Sequence, residues 1–250
     1  MKISNGVEML ELQVEVFSSR QELNPTLIWD DEAAILIDAG TPGQFEQIRA
    51  AMNECGVSMD KLKAIILTHQ DIDHIGSLPE ILQESDGDIK VYAHELDKPY
   101  IEGQLPLMKV NLDSMAWQLE SLPEDERLKV VAYLLENSPK AKVDRTLADR
   151  QELPYCGGIQ VIFTPGHTPG HISLYLKQSK TLVVGDAMFS VEGILRGPHP
   201  HSTPDMNTAF RSLEKYLDFD ITSIICYHGG LCKGNVNDQL EELVRDYWNL

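Results

Sequence analysis

The sequence predicts an α/β (α+β) fold, on three observations. Short apolar runs of strand length recur from residues 27–29 to 223–226. Between them lie segments with apolar residues at helical spacing, such as Phe45, Ile48, Met52 and Cys55. The order runs strands, helix, strand, a helical stretch, then strands and helices again, with no internal repeat. At 250 residues, 42% of them hydrophobic and 24% charged, the chain can bury the core of one domain, so a single domain over 1–250 is expected.

The elements follow in order. Residues 11–17 alternate like a strand. Runs 27–29 and 33–37 flank Asp30-Asp31, the composition of a hairpin turn. Gly40-Thr41-Pro42-Gly43 breaks the chain; Thr41 is expected to cap the next helix and Gly56 to end it. Residues 64–67 read as a buried strand. Ser77 is expected to cap a further helix, with Pro79 in its first turn. Residues 90–93 form a strand that His94 ends. From about 95 to 150 the strand signals stop, and 111–122 and 125–136 read as helices. An insertion of that length carries structure of its own. We expect it to act as a cap over the site, with a dimer contact as the alternative. Strands return at 159–163, 172–176, 181–184 and 223–226, and helices at 206–216 and 237–248.

The chemistry is concentrated in Thr68-His69-Gln70-Asp71-Ile72-Asp73-His74-Ile75-Gly76, which directly follows the buried strand. Imidazoles and carboxylates at this density are the donor set of divalent cations. Three later apolar runs also end in His or Asp: Thr164-Pro165-Gly166-His167, Val183-Val184-Gly185-Asp186 and Ile224-Ile225-Cys226-Tyr227-His228. Strand ends gather along one edge of a sheet, so these side chains can converge.

This pattern resembles the metallo-β-lactamase superfamily, whose signature is H-x-H-x-D-H followed by a His, a bridging Asp and a last His. The resemblance runs from the Leu36-Ile37-Asp38-Ala39-Gly40 segment to His228. It implies a four-layer αββα sandwich, two sheets face to face with helices outside. It implies two divalent metal ions, zinc foremost. One would sit on His69, Asp71 and His167, the other on Asp73, His74 and His228, with Asp186 bridging. Asp73 would also act catalytically, orienting the nucleophile or carrying a proton. His171 is expected to support the site without binding metal. Asp71 stands where the family has its second His. A carboxylate there hardens the first site and admits manganese or iron.

The function the resemblance implies is a metal-dependent hydrolase, in which a metal-bound hydroxide attacks a small ester, lactone or thioester. Two readings stand beside it. Diiron flavoproteins of the superfamily also carry an acidic residue at the Asp71 position, which admits a redox protein. They need a flavin-binding domain, and no Gly-rich dinucleotide fingerprint is present here. The second is a catalytically weak metal-binding scaffold. Zinc β-lactamases of the common subclass carry Cys where this chain has Asp186. Homoserine lactonases place a Tyr three residues after that Asp, where this chain has Phe189. Phe189, with His199 and His201 of the following loop, is the expected substrate rim.

A net charge of −18, with no basic run, argues against a nucleic-acid partner. No apolar run approaches the roughly 20 residues that span a bilayer, and the first residues lack a signal-peptide core. The four cysteines form no C-x-x-C pair or disulfide framework. A cytoplasmic enzyme with a small-molecule substrate and no membrane association is expected. Homodimer formation is left open.

Overall fold

The computed structural model describes residues 1–16, 19–85, 89–116 and 119–248. Phe17, at the end of the strand expected over 11–17, lies outside these, as do Trp117 and Gln118 of the helix expected over 111–122.

The chain begins with β1 (Lys2–Ser4) and β2 (Val7–Met9), then a ribbon of β3 (Leu12–Val16) and β4 (Ser19–Leu23), then β5 (Thr26–Trp29) and β6 (Ala34–Ile37). Next come α1 (Phe45–Glu54), β7 (Leu62–Ile66), the short α2 (Ile72–Ile75), α3 (Leu78–Glu84) and β8 (Lys90–His94). Helices α4 (Lys98–Ile101) and α5 (Glu124–Glu136) lead to β9 (Arg145–Leu147). The second half holds β10 (Glu152–Leu153), β11 (Ile159–Phe163), β12 (Ile172–Leu176), β13 (Thr181–Val183) and a ribbon of β14 (Phe189–Val191) and β15 (Ile194–Arg196). Then come α6 (Met206–Glu214), β16 (Ser223–Cys226), β17 (Gly230–Lys233) and α7 (Val236–Trp248).

The main strands form a seven-stranded sheet, β1-β2-β5-β6-β7-β8-β9, and a six-stranded sheet, β10-β11-β12-β13-β16-β17. Strands β6 to β9 run parallel, and so do β13 and β16. Parallel neighbours need crossover connections, which α1, α3 and α6 help to supply.

Side chains alternate across each strand, and both faces find partners. Ile35 and Ile37 of β6 meet Val161 and Leu174 in the core between the sheets. Leu36 points the other way, onto Ile48 and Met52 of α1 and Ile81 of α3. On the second sheet, Leu182 and Ile224 pack outward against Leu213 of α6 and Leu240 of α7. This is the expected αββα sandwich. Burial on both faces is why its central strands read as continuous apolar runs.

The Asp30 turn forms as expected, its Oδ1 accepting from the backbone N–H groups of Glu32 and Ala33, each at 2.9 Å. Thr41 does not cap α1. Gln44 holds that position, and its Oε1 accepts from the Thr41 N–H at 2.8 Å. Ser77 sits at the start of α3, but its hydroxyl spans to the Thr41 carbonyl at 2.6 Å. The stretch expected as a helix over 111–122 forms isolated turns among its described residues. Among its described residues, Met115 and Leu119 are buried, against Val131, and these give a helix little apolar surface to pack. Strand β9 lies inside the stretch expected as insertion. With Arg145 and Thr146 exposed it offers no apolar run to read. Among the described residues, no helix is long and apolar enough to cross a membrane.

Candidate metal centre

The parallel order brings the ends of β7, β11, β13 and β16 to one edge of the sandwich. His69 and Asp71 lie on the loop after β7, and Asp73 and His74 on the first turn of α2. His167 follows β11, Asp186 follows β13 and His228 follows β16.

Asp38, at the end of β6, organises the first loop. It is buried and has a left-handed backbone, φ 63°. Its carboxylate accepts from the Thr68 N–H and hydroxyl, both at 2.8 Å, and pairs with His74 Nδ1 at 2.9 Å. Thr68 Oγ1, its proton given to Asp38, accepts from His69 Nδ1 at 3.0 Å. Both imidazoles therefore turn Nε2 toward the centre. His69 Nε2, His74 Nε2 and Asp186 Oδ1 are buried with no hydrogen-bond partner. His69 Nε2 and His74 Nε2 each have a carboxylate oxygen 3.2 Å away, but without hydrogen-bond alignment.

Two sets of ligand-type atoms result. His69, Asp71, His167 and Asp186 form one, and Asp73, His74 and His228 the other, with the donor atoms of each set within 4.8 Å of one another. Asp186 lies between them. Its Oδ2 is 3.3 Å from His167 Nε2 and 3.4 Å from His228 Nε2, and its Oδ1 is 3.2 Å from His74 Nε2. All seven expected metal-site residues thus meet. Gly185 makes the approach: with φ 53°, a Cβ there would lie 2.8 Å from His171 Nε2 and 2.9 Å from Thr68.

The charges are strongly coupled. Burial alone would raise the Asp186 carboxyl, but His228, His74 and His167 hold it well below the usual range. Asp71 is likewise pushed up by burial and brought well below it by Lys109 and His69. Burial works against the His74 cation, yet Asp186, Asp38 and Asp73 raise its pKa well above the ordinary imidazole value. His167 goes the other way. Burial, then the Lys109 ammonium, bring it down to about 4, leaving it neutral near pH 7.

His171 is buried and accepts the Asp186 N–H at 3.1 Å through Nε2, so it supports that loop as expected. His94 ends β8 and stacks on Phe163, with ring centroids 4.3 Å apart. Phe189 and His199 have centroids 5.6 Å apart, and His199 and His201 5.7 Å, so the three expected rim residues gather beside one another. Burial, then His201 and His228, hold the His199 imidazole below its usual range.

Four contributors were not singled out from sequence. Asp38 is one, though its place at the end of an apolar run was visible. Tyr227 stacks on His74 at 3.7 Å between centroids, and its hydroxyl donates to the Asp73 carbonyl at 2.5 Å. Buried Asp97 accepts from Gln70 N–H, Thr168 hydroxyl and Gly170 N–H, tying the β7 and β11 loops together. Lys109 places its Nζ 2.6 Å from Asp71 Oδ2. The last two lie in the stretch without strand signals, where nothing in the spacing pointed to this site.

Comparison with known proteins bears on the family of this chain. The chain is 34% identical over 227 residues to the probable metallo-hydrolase YflN of Bacillus subtilis, covering 84% of this chain and 80% of that one. It is 30% identical over 211 residues to the hydroxyacylglutathione hydrolase GloC of Haemophilus influenzae, covering 82% and 85%. Its fold matches that of a metallo-β-lactamase family protein of Thermus thermophilus, with TM-score 0.72 and 21% identity over 99% of this chain and 81% of that one. The model of the metallo-β-lactamase superfamily matches residues 23–228, the span that carries every ligand-type residue described above, and the chain belongs to that superfamily.

Proposed function

We propose that this protein is a metal-dependent hydrolase of a small ester-like substrate, with thioesters favoured over esters and lactones. The observation that carries the reading is the set of unpartnered buried atoms, His69 Nε2, His74 Nε2 and Asp186 Oδ1, aimed into one space. Buried polar atoms without partners are costly, and a cation among them removes that cost. The donors fit a divalent ion. They are imidazole nitrogens and carboxylate oxygens, and Nδ1 of His69 and His74 is already held on the far side, as metal-binding histidines require. Zinc suits this set, with manganese or iron admitted by Asp71.

His74, His228 and Asp73 would hold one ion, His69, Asp71 and His167 a second, and Asp186 would touch both. A divalent ion bound there supplies Lewis acidity and an acidified water at neutral pH. The chain's own residues do the rest. Asp73 would accept the proton of the attacking water; its Oδ2 lies 3.2 Å from His228 Nε2. Tyr227 fixes the Asp73 backbone and the His74 ring. Phe189, His199 and His201 would form the substrate rim.

The thioester preference is supported by similarity to GloC, named a hydroxyacylglutathione hydrolase. The net charge of −18 supports a small molecule over a nucleic acid as partner. The free cysteines fit a reducing cytoplasm.

The test is hydrolysis of a panel of acyl thioesters, aryl esters and lactones by protein stripped with a chelator and then given zinc, manganese or iron. Metal should restore thioester cleavage. Asp186→Ala should lower both the metal content and the rate. Protein loaded with metal that leaves the whole panel uncleaved would overturn the proposal.

A further inference from the structure

Lys109 belongs to none of the motifs, yet it stands in the first ligand set. Its Nζ is 2.6 Å from Asp71 Oδ2 and 2.5 Å from His167 Nε2. Its side chain is only 17% exposed. The backbone around it is anchored on both sides. Leu107 and Val110 are buried in the core beneath the first sheet. The Met108 N–H donates at 3.0 Å to Oε1 of Gln70, a buried residue between His69 and Asp71. The segment between β8 and β9 is thus fastened to the metal-motif loop at the residue beside Lys109.

We infer that Lys109 is a built-in cation of the first ligand set, so that the chain holds one divalent ion tightly, in the set of Asp73, His74 and His228, and a second only weakly. This rests on the reading of the site as a metal centre. Imidazole and carboxylate donors hold zinc at about 2.0–2.2 Å. An ammonium within hydrogen-bond reach of both Asp71 and His167 lies almost where that ion would lie. The two cannot share the position, and each repels the other nearby.

Asp71 and Lys109 also explain each other. A carboxylate in place of an imidazole adds one negative charge to a buried site, and the lysine returns one positive charge. His167 Nε2, a ligand-type atom, lies within reach of the same ammonium and 3.0 Å from Asp71 Oδ2. The second set differs. Among the described residues, no lysine or arginine forms an ion pair with Asp73 or Asp186. A metal ion entering the first set must break the largely shielded Lys109–Asp71 pair and strand the ammonium. In the second set the groups facing Asp73 and Asp186 are the imidazoles of His74 and His228, which are themselves the ligands and stay in place, so no lysine has to leave.

The test is zinc binding by calorimetry, with elemental analysis after dialysis, on the wild type, Lys109→Met and Lys109→Arg. Methionine keeps the length and burial of the stem, and arginine keeps the charge. The wild type should retain about one zinc per chain and bind a second on the order of 100-fold or more weakly, as expected when a buried ion pair must be broken. Lys109→Met should bind two with similar affinity, and Lys109→Arg should return to one. Two tight zinc ions in the wild type would overturn the inference while leaving the metal centre intact. So would a second affinity unchanged in Lys109→Met. No tight zinc in any of the three proteins, each folded by circular dichroism, would overturn the metal-centre reading and this inference together.

Discussion

The sandwich and the segment joining β8 to β9 are built by different means. The sandwich has apolar cores between its sheets and outside each of them, and its central strands are almost completely buried. The segment has a small cluster of its own, Met115, Leu119 and Val131. Helix α5 buries only Val131 and leaves Leu128, Tyr133 and Leu135 exposed. All seven ligand-type residues stand just beyond strand ends of the sandwich, on loops or the first turn of α2, and the segment adds Lys109 to the first ligand set and Asp97 to the loops that carry it. Atoms that must meet within a few ångströms are placed by the part packed on every side. The part packed weakly can change while that arrangement stays, which makes it a place to adjust a site without rebuilding it.

The largest effect should follow from opening the core between the sheets. Leu174 is fully buried there. Leu174→Ala should cost about 2–5 kcal/mol, the range for a buried leucine cut to alanine. Urea unfolding with an unchanged slope measures it. A cost under about 1 kcal/mol, well below that range, would show the inter-sheet core to be looser than the burial implies.

Next comes Asp38, which belongs to the sandwich but acts on the metal centre. Asp38→Ala removes the acceptor of His74 Nδ1 and of the Thr68 N–H and hydroxyl. Loss of such an orienting partner typically lowers metal affinity by about 10–100-fold. Zinc titration of the variant checks this. Unchanged affinity would mean that packing alone fixes the His74 ring.

The contrast between the two regions also explains what could be read from sequence. The strands at 159–163, 172–176 and 223–226 were legible because both their faces are buried, which writes continuous apolar runs. The ligand positions were legible because imidazoles and carboxylates at the ends of such runs have few other reasons to be there. The ribbons β3–β4 and β14–β15 were only partly legible, or not at all. Each is a two-stranded sheet of its own, and β4 meets the rest through a single bridge from Leu23 to His228, so little sheet pairing reinforces their pattern. Strand β9 hid because its first two residues are exposed. Asp97 and Lys109 were invisible for another reason. Each acts on loops distant in sequence, through contacts 73 and 38 residues away, and no periodicity records such a contact.

Within the segment, Val131→Ala tests how little its small cluster carries. Val131 touches Met115 and Leu119 in a cluster of three buried residues. Losing two methyl groups next to neighbours that can relax should cost about 1 kcal/mol, below the core value for Leu174. The zinc stoichiometry should stay as in the wild type. A cost equal to that of Leu174→Ala would erase the distinction between the two regions.

The smallest effect is expected on the outer face of α5, and it bears on what that face is for. Tyr133 is 65% exposed, with Leu128 and Leu135 exposed on the same helix. In an isolated chain, Tyr133→Ser removes little buried surface and should change stability by no more than about 0.5 kcal/mol. If α5 instead meets a second copy of the chain, that tyrosine becomes buried, and its loss weakens association as well as stability. Sedimentation of wild type and variant across a range of concentrations separates the two cases. An unchanged sedimentation coefficient, with a melting temperature within a few degrees of wild type, keeps α5 as a solvent-facing element of a weakly packed segment. A wild-type dimer that the variant loses would make the segment an interface, and its sparse core would then be completed by the partner.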